Sequence, residues 1–240
     1  MVVFLLSLLV LISAFLPSLA WLAFFLKEDI HPEPKRILVL TFAAGALSTA
    51  PALAFQIFFQ KTAIASFVGP LLALVVMALI EELSKFGAAY FAVAKDENYD
   101  EPVDAMIYMV TAALGFAAIE NLFIAASTWT TASAASLVAT ANILLLRLVG
   151  ATLLHVLASG LLGFYWAENR TAIGVMVATI VHSIFNYLVL SFENTNLLYA
   201  AIFLLFALFF LFQDFEKLKR SRFITRLSPT EEIGNDNLKL

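Results

Sequence analysis

The sequence predicts an all-α fold: a polytopic transmembrane helix bundle of about seven spans, with a polar site buried between four central helices. Three observations lead there. Apolar residues make up 62% of the chain and charged residues 13%, with a mean hydropathy of +0.94, whereas soluble domains carry about 25% charged residues. The apolar residues fall in blocks long enough to cross about 30 Å of hydrocarbon, which takes roughly 20 helical residues. The few ionisable residues inside those blocks lie at similar depths.

Taken in order, the blocks cover 2–26, 36–59, 63–94, 103–127, 134–167, 172–192 and 197–214. The first lacks a basic leading region, and its apolar core is longer than a signal peptide's, so it is expected to be an anchor. The connectors are short and polar: "KEDIHPEPK", "QK", "KDENYDEP", "STWTTAS", "ENRT" and "ENTN". None has room for a soluble domain. The expected organisation is therefore a transmembrane bundle over 1–214 and a cytoplasmic tail over 215–240, the tail opening on the basic run "EKLKRSRF".

An odd number of spans puts the termini on opposite sides, and the positive-inside rule chooses between the two orientations. With the tail in the cytoplasm, Lys27, Lys35, Arg36, Lys95, Arg170 and the cations from Lys217 onward lie inside, and Lys61 alone lies outside. The expected N-terminus is then outside. Lys85 and Arg147 fall within spans. The chain has no cysteine, which excludes disulfides, thiolate zinc sites and cysteine nucleophiles.

The third span is interrupted by "IEELSKF", residues 80–86. Each ionised residue at a helix centre costs about 2.5–3.5 kcal/mol on insertion, so adjacent glutamates mark a function or a tightly paired lock. Glu81, Glu120, His155 and His182 all lie roughly 15–25 Å from the expected cytoplasmic ends of their spans at about 1.5 Å rise per residue. Glu81 and Lys85 are spaced i,i+4 with the acid first, the favourable order, while Glu82 points about 100° further round. One glutamate can thus be held by the lysine while the other faces a cavity, expected to admit water from the cytoplasmic side. His182 and Asn186 share a helix face, as do His155 and Ser159, and Arg147 precedes His155 by two turns of a continuous helix. A single buried ion pair can simply lock helices together, but three glutamates, two histidines and an asparagine in one layer favour a site. Asp104 and Arg147 are expected to be structural partners, and His31, in the loop turn "HPEP", to have no role.

A buried carboxylate beside a cation can take a proton from water, and imidazole and amide groups can donate to a developing oxyanion. That suits hydrolysis of an acyl bond. H-E-x-x-H, G-x-S-G and G-x-G-D are all absent; "LASG" comes nearest to the second.

"EELSK" resembles the E-E-x-x-K motif of the PrsW family of intramembrane proteases. "EPVDAMIYMVTAALGFAAIENLF" is similar to that family's second motif, with Asp104, Tyr108, Gly115, Glu120 and Asn121 in place. "RLVGATLLHVLASGLLGFYW" resembles the third and "HSIFN" the last, so the motif core covers about 75–190. A more distant likeness is to the CAAX prenyl proteases and the bacterial CPBP proteins. The resemblance implies an intramembrane endopeptidase of a bacterial or archaeal cell membrane, acting on membrane-embedded, juxtamembrane or lipid-modified substrates, with membrane-bound anti-sigma factors one class, and with no nucleic-acid partner. By analogy with the CAAX enzymes, Glu81 would activate water with His155 helping to hold it, and His182 with Asn186 would stabilise the oxyanion. Glu82 and Glu120 would be supporting or alternate bases, with Lys85, Asn121 and Arg147 as further support. No metal is expected; the alternative is a zinc site of the His₂Glu kind on Glu81, His155 and His182. Two other readings use the same buried groups: a non-catalytic scaffold, and a proton or cation transporter, which would predict an internal repeat that the motifs do not show.

Overall fold

The computed structural model describes residues 2–29, 31–131, 133–191 and 197–227. Among these the helices are α1 (Val2–Ser13), α2 (Leu16–Phe25), α3 (Lys35–Gln60), α4 (Ala63–Val93), α5 (Pro102–Thr128), α6 (Ala134–Val149), α7 (Ala151–Ala167), α8 (Thr171–Ser191) and α9 (Leu197–Leu227). No strand occurs among the described residues. Seven stretches are long and apolar enough to cross a membrane, and they follow the seven blocks expected from the sequence, from Phe4–Phe25 to Leu198–Arg220. The protein is a polytopic membrane helix bundle.

Two of the expected spans are broken. The first divides at Ala14 and Phe15, because Pro17, in the first turn of α2, has no N–H to offer the carbonyl four residues earlier. The fifth divides at Gly150, whose φ of −109° and ψ of −100° leave the helical region. A break inside a membrane frees backbone carbonyls that must find new donors. Trp21 Nε1 on α2 supplies one, donating to the carbonyl of Leu148 at 2.7 Å. A third irregularity, at Gly69 in α4, has a φ of 74°, a left-handed conformation that glycine adopts without a Cβ clash. The last helix runs beyond the expected boundary at 214, carrying the first part of the basic tail as α9. Lys219 on it donates to Glu28 Oε2 at 2.7 Å, tying α9 to the segment after α2.

α5 is the central helix. Every residue from Val103 to Ala118 is buried, enclosed by α2, α3, α4, α7 and α9. Its approach to α3 is backbone to backbone: a Cβ at Gly45 would overlap the backbone of Ala112, and one at Gly115 would overlap the carbonyl of Phe42. Small residues permit this closeness, which supplies the dispersion contacts that hold helices together where lipid removes the hydrophobic driving force. At its start, Glu101 and Asp104 form a capping box, with Glu101 N–H donating to Asp104 Oδ2 at 2.6 Å. Beyond Ala118 burial becomes intermittent and Phe123 is exposed, so α5 is sealed over its first four turns and open beyond them.

Candidate active site

The site forms where α4, α5, α7 and α8 meet, with α3 and α6 closing its edges. α4 contributes Glu81, Glu82 and Lys85. Glu82 is fully buried, and its carboxylate is saturated: Oε1 accepts from Lys85 Nζ at 2.7 Å and from His182 Nδ1 at 2.7 Å, while Oε2 accepts from Ser159 Oγ at 2.9 Å. Lys85, equally buried, also reaches His155 Nδ1 at 2.8 Å and lies 4.9 Å from the centroid of the Phe116 ring. Glu81 is only 3.9 Å from Lys85. The spacing left open which glutamate the lysine holds; the structure puts it on Glu82, whose carboxylate also binds His182 and Ser159, and leaves Glu81 the looser partner.

α7 enters immediately after the Gly150 break, which sets His155 one turn inside the new helix. His155 Nε2 lies 2.8 Å from Glu120 Oε2 on α5. The same oxygen accepts from Arg147 Nη2 at 3.0 Å; Arg147 Nε donates to Asn121, whose amide donates to Thr152 Oγ1 at 3.2 Å. Arg147 and His155 thus face the same interior, as their spacing suggested, but the Gly150 break means that they do so from two helices instead of one. They stand on separate helices and meet through Glu120.

With Lys85 donating to His155 Nδ1, His155 Nε2 carries the proton given to Glu120. With Glu82 accepting from His182 Nδ1, the lone pair of neutral His182 lies on Nε2; both tautomers are assigned from partners. That Nε2 faces Glu81 Oε2 at 3.6 Å, and the two imidazoles meet edge to face at 5.2 Å. Gln56 Nε2 on α3 donates to Glu81 Oε1 at 2.9 Å. Glu81 Oε2 is buried without a hydrogen-bond partner. The Glu81 side chain retains 12% exposure against none for Glu82, which leaves Glu81 the less enclosed of the two.

The expected residues Glu81, Glu82, His155, His182, Lys85, Glu120, Asn121 and Arg147 thus converge in one network. Asn186 stays outside it, half-buried one turn along α8 from His182. Gln56 and Thr152 are additions that sequence reasoning missed; each is a neutral polar residue in an apolar helix, a weak signal by itself. The cavity beside the network, about 230 Å³, is lined by Gln56, Glu120, Arg147 and Phe123 among others. It lies along the later turns of α5, away from the end that the charge rule assigns to the cytoplasm. His31 lies outside the network, with its Nδ1 2.9 Å from Glu101 Oε1.

Ligand atoms of Glu81, His155 and His182 all lie within 4.8 Å of one another. The unpartnered Glu81 oxygen and two imidazoles, each backed by a carboxylate, fit the donor set of a His₂Glu metal centre.

A membrane bundle with carboxylates and histidines gathered between its helices has the make-up that intramembrane hydrolysis requires. The family model of the PrsW family intramembrane metalloproteases matches residues 33–212, and the chain belongs to that family. It is 28% identical over 190 residues to Protease PrsW of Geobacillus kaustophilus, covering 74% of this chain and 78% of that one. A protein of the same name from Oceanobacillus iheyensis is 24% identical over 205 residues, covering 79% and 86%. Another, from Halalkalibacterium halodurans, is 34% identical over 113 residues, covering 46% and 52%. No solved structure matches. The protein is a protease integral to the membrane.

Proposed function

We propose that this protease hydrolyses peptide bonds of membrane-embedded or juxtamembrane substrates with a water activated by Glu81. The observation that carries the reading is the Glu81 Oε2 atom, buried, unpartnered and facing His182 Nε2 at 3.6 Å. A water held there can give its proton to Glu81 as its oxygen attacks the substrate carbonyl. Gln56, bonded to Oε1, fixes the carboxylate so that Oε2 points inward. Glu82, bonded to His182 Nδ1, orients that ring with its Nε2 lone pair toward Glu81 Oε2, so that the two atoms hold the water between them. Glu120 holds His155 in the same way, and the Lys85 ammonium adds a positive charge beside both rings. Proton transfer from Glu81 to the leaving amine completes the cycle. Single-span membrane proteins, anti-sigma factors among them, are the substrates this reading implies.

A second reading rests on the 4.8 Å cluster. Glu81, His155 and His182 would hold a divalent cation such as zinc, which would polarise the carbonyl and acidify the water. Neutral His182 already turns its lone pair to that space, whereas His155 would have to exchange Lys85 for the metal at Nδ1. The decisive experiment is cleavage of a single-span membrane polypeptide by purified Glu81→Gln protein, which keeps the shape but cannot take the proton. A loss of about 10²–10⁴-fold is expected; cleavage at the wild-type rate would sink the reading.

A further inference from the structure

Among the described residues, three cavities open between the helices, and the third of these leads to the site. The first, about 340 Å³ between α1, α2 and α6, is lined almost wholly by apolar residues such as Leu16, Pro17 and Leu148. The second, about 330 Å³ around Gly150, meets the network through Arg147 alone. The third is the cleft of about 230 Å³ between α3, α5 and the end of α6. Its outer rim holds Leu53 and Phe123, exposed by 43% and 54%. Its inner end holds Thr49, Gln56, Glu120 and Arg147. Gln56 is the partner of Glu81 and Glu120 the partner of His155, so this cleft ends at the residues that hold both halves of the site. Thr49 adds an independent observation, since of the buried unpartnered hydroxyls, those of Ser18, Thr41, Thr49 and Thr179, it is the one that lines this cleft. Its hydroxyl is buried with no partner, whereas neighbouring Ser48 bonds to the carbonyl of Gly45 at 2.7 Å.

We propose that this cleft is the substrate groove: a membrane-spanning polypeptide enters it sideways from the lipid between Leu53 and Phe123, and the Thr49 hydroxyl and Gln56 amide hydrogen-bond its uncoiled backbone beside Glu81. The proposal rests on the protease reading and adds to it the route and the positioning residues. Its physical basis is size and polarity. A helix with its side chains is about 10–12 Å across, too wide for this volume, so only an extended stretch fits. Unwinding in lipid leaves backbone amides and carbonyls that must be satisfied, and the polar inner end provides donors and acceptors. A lipid acyl chain would find no match for those four polar residues.

The absence of cysteine makes the test direct. Leu53→Cys and Phe123→Cys are made in the full chain, with Val189→Cys in the second cavity and Leu205→Cys on the lipid-facing side of α9 as comparisons. Each is placed in vesicles with a lysine-flanked Leu-Ala transmembrane peptide carrying one central cysteine, and disulfide crosslinks are counted. Crosslinking at 53 and 123 should exceed that at 189 and 205 by about tenfold, one decade of preferential occupancy. Phe123→Trp, which narrows the rim, should lower crosslinking at 53 by about the same tenfold factor. Thr49→Val, nearly the same shape, should lower it about fivefold, the worth of one hydrogen bond. Equal labelling at all four positions, labelling confined to 189, or no response to Phe123→Trp would overturn the groove. Cleavage by Glu81→Gln, measured separately, judges the protease reading alone and leaves the crosslinking pattern to judge the groove.

Discussion

Glu82 and Lys85 form the buried ion pair of this site, at 2.7 Å with neither side chain exposed, while Glu81, one residue earlier, is left 3.9 Å from the same ammonium. The pairing divides the two adjacent glutamates into a structural carboxylate and a less enclosed one, and their variants should separate accordingly.

Glu82→Gln leaves Lys85 without its short partner in a medium with no water to replace it, and breaking a buried pair from one side costs about 3–5 kcal/mol. The expected result is a lower melting temperature in detergent and reduced yield. Glu81→Gln should melt near the wild-type temperature while losing cleavage. If Glu82→Gln is as stable as wild type, the structural role given to that pair is wrong.

Glu120 connects Arg147 to His155 at 3.0 and 2.8 Å. Replacing it by glutamine should free the imidazole to rotate and lower kcat by about 10–100-fold, the usual effect of losing a partner that orients a functional histidine. Because Glu120 retains 26% exposure, folding should change little. A Glu120→Gln protein with unaltered kcat would remove that orienting role.

Chelation separates the two readings of the Glu81, His155 and His182 cluster. Lys85 Nζ already occupies His155 Nδ1 at 2.8 Å, so activity is expected to survive prolonged EDTA treatment. Loss of activity together with stoichiometric zinc, and recovery of both on adding zinc back, would assign the metal reading instead.

The loop before α3 should respond to pH. Burial pushes the Glu33 carboxyl above its ordinary 4.5, against the opposing pull of its bond from the Tyr108 hydroxyl, and burial raises Asp29 above 3.8 in the same way. The folded protein then holds protons that the unfolded chain has released. This contribution to stability is fully present below the ordinary values, 4.5 for Glu33 and 3.8 for Asp29, and is lost as pH rises through the elevated folded values. Thermal unfolding followed from pH 4 to 8 should show that decline, and Glu33→Gln should make it shallower. An identical slope in the variant would contradict the assignment.

The seven crossings were legible from sequence because a segment in lipid must satisfy its backbone within itself and be apolar on its outside, a demand that each block records independently of the others. The layer of Glu81, Glu120, His155 and His182 was legible for a related reason: an ionisable residue is too expensive at that depth to be placed casually. Neither rule contains the angle between one helix and another. The choice of Glu82 over Glu81 as partner of Lys85 depended on His182 and Ser159 arriving from α8 and α7. The break at Gly150, hidden within an unbroken apolar run, depended on Trp21 of α2 being there to take up the Leu148 carbonyl. The unpartnered Glu81 oxygen and the Gln56 amide that aims it belong to the same category. Hydropathy and spacing act along one helix, so they fixed what crosses the membrane and which polar groups share a level. Which of those groups touch came from the packing of α3, α5 and α7, where glycines let backbones meet and so determined the helix positions to within a hydrogen bond.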